Sequence, residues 1–337
     1  MIHLDGNYLE GGGQLVRTAL ALSAITGQPF EVDNIRKGRK EPGLKAQHLH
    51  CIEALKKLCS AEAEGVELKS ERIVFTPHKI VPHTVSIDIG TAGSISLLLQ
   101  SVLLPAMLAG GKVRLKIKGG TAGKGSMTFD FFKEVIIPQL KRYADIDVKL
   151  VRRGYYPKGG GEVDIKIKGR FTMEDRDSAP KINLVQQGKL MMIKGISVAS
   201  ADLEKGQVAE RQANAAKQVL SKLNVPVKIE SHYTDTFSTG SELTIWALFS
   251  KHEDELDIQN PMIIGSDELG EQGKRAEIVG ENAAKRLMAE IEKEACVDSH
   301  AADNLAPIIA VFGGEIKTAD ITNHLKTNIY VIENFLG

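Results

Sequence analysis

The sequence predicts an α/β fold of repeated units, with a smaller α/β domain inserted into it. Three observations predict this. Strand-like and helix-like segments alternate through the first half. The alternation returns with a period of ~80 residues. A stretch of different pattern then interrupts the last part of the 337-residue chain, which is long enough for two cores.

Residues 1–5 predict a short strand, and QLVRTALALSAI (14–25) a helix with apolar spacing and strong helix formers. FEVDNIR (30–36) follows as a strand, 45–59 as a second amphipathic helix, and two short strands near 62–76 are punctuated by Gly65 and Pro77. The order then recurs: a strand at VSIDIG (85–90), a nearly all-apolar helix at 94–109, an alternating strand at KVRLKIK (112–118), a helix at 128–143, and strands at 146–152 and 161–168. EGGGQLVRTALALSA aligns with GTAGSISLLLQSVLL, and IRKGR with IKGGT. Residues 281–293, 302–311 and the terminal KTNIYVIENFL could supply a third copy. Between residue 184 and these segments lies a different stretch, with a helix at 207–223, strands at 226–231 and 242–250, and a charged break, KHEDELD, at 251–257. The predicted division is 1–184 with 278–337 as a large repeat domain and 185–277 as the insert.

Lys plus Arg and Asp plus Glu both number 43, so the net charge is zero, which argues against coating a long polyanion. A short piece of nucleic acid held by a local basic patch remains compatible. No apolar run reaches the ~18 to 20 residues of a membrane span. The start, MIHLDGNYLEGGG, predicts no secretion signal. Cys51 and Cys59 are eight apart, which is not a zinc spacing, and with Cys296 they predict reduced, packed thiols in a cytoplasmic protein.

Four clusters could carry chemistry. Glu10-Gly11-Gly12-Gly13-Gln14 with Arg17 places glycines at a helix start, where free N–H groups attract phosphate and a carboxylate can hold a metal. The ordinary alternative is a flexible turn with a cap. Arg36-Lys37-Gly38-Arg39-Lys40 gathers cations on a loop suited to phosphate oxygens, or simply to water. Gly119–Ser126 imitates a P-loop but has Lys118 where the first Gly belongs and Gly125 where Ser or Thr should hold magnesium. His324, in NHLKTN, could be a nucleophile; the other eight histidines, His48 among them, are assigned ordinary packed or surface roles.

Taken together, Asp5-Gly6, Glu10–Gln14 with Arg17, Arg36–Arg39, Pro42-Gly43-Leu44, Gln47-His48-Leu49, Gly93-Ser94-Ile95 with Gln100, Tyr155-Tyr156-Pro157-x-Gly159-Gly160-Gly161 and Asn323-His324-Leu325-x-Thr327-Asn328 resemble the RNA 3′-terminal phosphate cyclases nearly end to end. The resemblance implies three βαβαββ units, each like the C-terminal domain of translation initiation factor 3, with a smaller α/β insert. It implies ATP as co-substrate, Mg²⁺ or Mn²⁺ on Glu10, and RNA with a 3′-phosphate end as partner. His324 would be the catalytic residue, with Gln100, His300, Asp303 and Asn328 at the nucleotide and Arg17, Arg36, Arg39 and Gln47 on phosphate. His300 stands where some relatives have Tyr, and residues 122–128 lack the prolines associated with the family's adenine pocket. A homodimer is compatible with it. Three other functions compete with this one: an inactive cyclase-like protein of ribosome assembly, an enolpyruvyl transferase on related repeats, and a passive RNA-end binder. The presence of His324 argues against the first, and no substrate pattern supports the second.

Overall fold

The structure is a computed structural model and describes all residues except 10, 252–256 and 258–259. It is a mixed α/β protein. The first sheet is built from β1 (Ile2–Asp5), α1 (Gly13–Thr26), β2 (Phe30–Asp33), α2 (Ala46–Cys59), β3 (Glu62–Glu64) and β4 (Ile73–Thr76), in the strand order β1-β2-β4-β3. β1 and β2 run parallel, as an intervening helix requires, whereas β4 is antiparallel to both β2 and β3.

The same order returns in the second sheet. β5 (Thr84–Asp88), α3 (Ile95–Met107), β6 (Lys112–Gly119), a helical stretch and β7 (Ala144–Arg152) with β8 (Gly161–Gly169) give β5-β6-β8-β7. That stretch comprises α4 (Phe129–Phe131), a π turn (Phe132–Ile136) and α5 (Ile137–Leu140). The sequence predicts one helix to 143. Pro138 has no N–H to give the Glu134 carbonyl, which accounts for the widened turn, and the chain enters β7 after a turn at Tyr143.

After β9 (Ile182–Leu184), the chain builds a third four-stranded sheet from β10 (Lys189–Ser200), α6 (Val208–Leu220), β11 (Val227–Thr234), β12 (Ser241–Ser250) and β13 (Met262–Leu269), in the order β11-β10-β12-β13. The sequence misses β10 and β13. The charged break predicted at 251–257 lies largely outside the described residues. α7 (Ala276–Glu292), predicted from 281–293 as part of the third repeat, packs instead on α6, β12 and β13. The reason is a row of small and apolar residues: Gly280 fits so closely on α6 that a Cβ there would lie 2.2 Å from the Gln212 carbonyl.

The chain ends with α8 (Ser299–Phe312), β14 (Gly314–Ile316) and α9 (Asn323–Leu336), and β14 pairs in parallel with β9. The C-terminal apolar segment is therefore wholly helical. α1 packs on α2, α3 and α9, and α9 on α8, so five helices share one apolar layer. Cys51, Cys59 and Cys296 are buried free thiols. Among the described residues, no helix is long and apolar enough to cross a membrane.

Candidate active site

The first turn of α1 is shaped by glycine. Gly11 has φ +54°, and a Cβ on Gly13 would lie 2.1 Å from His48 Nε2. Only a residue without a side chain lets that imidazole rest against the start of the helix. His48 sits in the first turn of α2, where its Nδ1 accepts the Lys45 backbone N–H at 2.9 Å, leaving the proton on Nε2. Burial, followed by the cations Arg17, Arg36 and Lys45, pushes its pKa down to about 3, so the ring is neutral at pH 7.

Arg17, one turn into α1, is buried, and no carboxylate pairs with it among the described residues. Its Nε donates to Gln100 Oε1 on α3 at 2.8 Å, and one terminal nitrogen donates to Gln14 Oε1 at 2.9 Å. Burial lowers its pKa to about 10, with Cys51 opposing and Arg36 adding to the effect, yet the group stays charged at neutral pH. Arg36 holds a left-handed backbone, φ +57°, and gives one N–H to the Glu41 carbonyl at 3.2 Å. Its Nε is buried without a hydrogen-bond partner, and burial and then Arg39 lower its pKa. Arg39 is exposed, with a terminal nitrogen 3.8 Å from where a Cβ on Gly12 would stand. Gln47 joins α2 to the start of α3 through Ser94 O at 3.1 Å. A concentration of positive charge with an unused buried donor is costly alone and favourable beside an anion.

The other side of the site is built by α8 and α9. Thr322 caps α9 by accepting the Leu325 N–H at 2.9 Å, so His324 lies in the first helical turn, exposed. One turn on, Asn328 is fully buried. Its Oδ1 accepts from Gln14 at 2.9 Å and Thr18 at 2.6 Å, and its Nδ2 donates to the Asp303 carbonyl at 2.6 Å. The Asp303 carboxylate accepts the Thr322 hydroxyl at 2.7 Å. Its pKa is raised by burial, against the opposing pull of Thr322, His324 and His300. Gln100 donates to Asn304 at 3.0 Å, and Asn304 to the His300 carbonyl at 2.7 Å. The His300 ring meets Phe131 edge-on with centroids 6.3 Å apart.

Two linked runs of hydrogen bonds therefore tie the starts of α1, α8 and α9 together. One passes from Arg17 through Gln100 and Asn304 to His300; the other passes from Gln14 through Asn328 to Asp303 and Thr322. Helix starts carry partial positive charge and unpaired N–H groups, and Gly12 has no side chain with which to cap α1. The arrangement can hold phosphate groups in front of an exposed imidazole.

Nine of the ten residues singled out in the sequence fall on these helices or on the loop between β2 and α2: Arg17, Arg36, Arg39, Gln47, Gln100, His300, Asp303, His324 and Asn328. Glu10 lies outside the described residues. Sequence reasoning left out Thr18, Asn304, Thr322 and the buried role of His48. Thr322 was findable as an N-cap ahead of an apolar helix; the others announce themselves only through contacts distant in sequence. In the P-loop-like run, Lys124 approaches Glu271 at 3.7 Å. A cavity of about 720 Å³ on the open face of the second sheet, near Lys112, Arg114 and Asp145, contains none of the network residues.

The chain matches the family model described as RNA 3'-terminal phosphate cyclase over residues 8–337. It is 44% identical to an RNA 3'-terminal phosphate cyclase of Pyrococcus abyssi, over 100% of this chain and 94% of that relative. It is 42% identical to relatives of that name in Saccharolobus islandicus and Saccharolobus solfataricus, with the same coverage.

Proposed function

Because the chain belongs to the RNA 3′-terminal phosphate cyclase family and is such an enzyme, we propose that it uses ATP to convert an RNA 3′-phosphate into a 2′,3′-cyclic phosphate through an adenylate on His324. The observation that carries this is the buried Arg17 and the unpartnered Arg36 Nε, set beside a helix start and joined through Gln14 and Asn328 to the helix that presents His324.

A ring nitrogen of His324 attacks the α-phosphorus of ATP. A nitrogen–phosphorus bond forms, the α–β phosphoanhydride bond breaks, and pyrophosphate leaves. Imidazole suits this step because it is nucleophilic when neutral and departs readily from a phosphoramidate. Gln100, His300, Asp303 and Asn328 hold the nucleotide side of the site. AMP then passes to the RNA 3′-phosphate, releasing His324. The adjacent 2′-oxygen attacks the activated phosphorus, loses its proton to solvent, and expels AMP. Ring closure is intramolecular, so holding the terminus still supplies much of the rate. Arg17, Arg36, Arg39 and Gln47 bind phosphate and perform that holding.

A divalent ion would be held by Glu10 together with ATP oxygens, as Mg²⁺ commonly is, and would offset phosphate charge.

We also infer three repeats of one βαβαββ unit. The equal strand orders of the first two sheets support it. So does the parallel β9–β14 pair, with α8 between its strands and α9 after it, matching the first four elements of a unit. The insert then runs from 185 through α7. The RNA partner, ATP use and a cytoplasmic location go with this reading, and a homodimer stays compatible with it. The test is to incubate the protein with ATP and an oligoribonucleotide ending in a 3′-phosphate. An ATP-dependent, phosphatase-resistant end is expected; a phosphate that stays fully removable would refute the activity.

A further inference from the structure

We propose that Tyr156 and Phe237, with Arg152 and Lys158, form a stacking platform for the unpaired bases just upstream of the RNA 3′ end. The turn YYPKGG carries no role in the chemistry above, yet its surface is unusual. Aromatic residues are few in this chain, and almost all are buried or half-buried. The two exposed ones are Tyr156, 79% exposed, and Phe237, 54% exposed. One exposed ring needs no explanation, but two brought to one junction by turns distant in sequence make an apolar surface suited to a partner.

The two come from different parts of the chain. Tyr156 lies on the β7–β8 turn and Phe237 on the β11–β12 turn. Those turns touch: Lys158 N–H donates to Ser238 Oγ at 3.0 Å, and Gly160 lies so close to the Phe237 ring that a Cβ there would stand 2.3 Å from it. The Arg152 guanidinium covers the Phe237 ring at 4.5 Å from its centroid, and its Nε donates to the Gly160 carbonyl at 2.6 Å. Neither Arg152 nor Lys158 has an ion-pair partner among the described residues.

The platform also adjoins the candidate active site. Gly159 packs so tightly on the Thr91–Ala92 backbone that a Cβ there would lie 2.5 Å from the Thr91 carbonyl oxygen. Two residues further on, Ser94 caps α3 and accepts the Gln47 amide. A strand whose terminal phosphate reaches Gln47 thus has this junction next to it. π-faces interleaved with cations suit single-stranded nucleic acid, because every base can stack and every linkage carries a charge. Such stacking tolerates sequence, as expected for an enzyme that reads an end.

This inference rests on the cyclase reading for the identity of the strand, and its test reads stacking directly. Short RNAs with a 3′-phosphate would carry 2-aminopurine at the second or third nucleotide from that end. Binding to the full chain is expected to quench the fluorescence. Tyr156→Ser should restore the fluorescence and weaken RNA binding about tenfold, while Tyr156→Phe behaves as native. Adenylation of His324 by ATP should be unaffected by Tyr156→Ser. Normal cyclisation with unquenched 2-aminopurine overturns the platform and leaves the activity standing. Quenching without cyclisation supports the platform and removes the activity. Failure to bind the RNA at all overturns both.

Discussion

At the residue scale, the site is defined by Arg17 and Arg36, which pair with no carboxylate among the described residues, and by a histidine held neutral. Arg17 bonds to two amide oxygens, and Arg36 keeps an unpartnered buried Nε. Asp or Glu partners would have satisfied both and left nothing for phosphate. Arg39 is the exposed member of the group, so its removal should leave the fold intact. Arg39→Ala is expected to slow AMP transfer to RNA about tenfold or more while formation of the protein–AMP adduct changes little, since a charge-assisted bond to phosphate contributes ~1.5–3 kcal/mol. Separate single-turnover measurements of the two steps decide this. Equal losses in both would move Arg39 to the ATP side. The identities of these cations were legible in the sequence because they cluster on one loop and one helix start. The neutrality of His48 was not, because it depends on burial against Gly13 and on cations from two other elements.

At the element scale, the helices were the most legible parts. α2 and α3 were predicted to within two residues at each end, since apolar periodicity and a Ser94 cap define them locally. β10 was missed because its centre carries Lys194-Gly195, and Gly195 is required by the Ile245 side chain of the neighbouring strand, 2.7 Å from a hypothetical Cβ. β13 was missed for a similar reason: Gly265 receives Phe131 and Val135. Pairings such as Gln14 with Asn328 join helices 314 positions apart, and no local pattern encodes them. The start of α1 offers a direct test. Gly13→Ala must displace the His48 ring, and is expected to cost about 1–3 kcal/mol of stability and most of the cyclisation rate. Gly27→Ala, at the other end of α1 in open space with φ +70°, should cost about 1 kcal/mol and leave the rate unchanged. Denaturant titration and rate measurements on both variants check this; equal activity in the two would show that the His48 contact is dispensable.

At the scale of the whole molecule, a buried charged cluster joins the segments around the second sheet to β12 of the third sheet. Arg153 bonds Glu242 at 2.5 Å and Asp130 at 2.8 Å, and Tyr155 donates to Glu242 at 3.3 Å. Burial raises the Glu242 pKa above its ordinary value near 4.5; Arg153 pulls it down but is shared with Asp130, which pushes it up again. The folded state therefore keeps this proton longer than the unfolded chain does. Its contribution to stability is full below about 4.5 and is lost as pH rises through the folded value. Glu242→Gln should thus gain stability relative to the native protein as pH rises from about 5 to about 8. Melting temperatures across that range test it, and parallel profiles for the two proteins would contradict it.

The central claim, that this fold converges several helix starts to make His324 a nucleophile toward ATP, is tested most directly by labelling. The native protein and a His324→Ala variant would be incubated with α-labelled ATP and the divalent ion, then denatured. Acid-labile, protein-bound AMP is expected on the native protein, mapping to the peptide that contains His324, and none on the folded variant. AMP bound equally to the variant, or to a different residue, would contradict it.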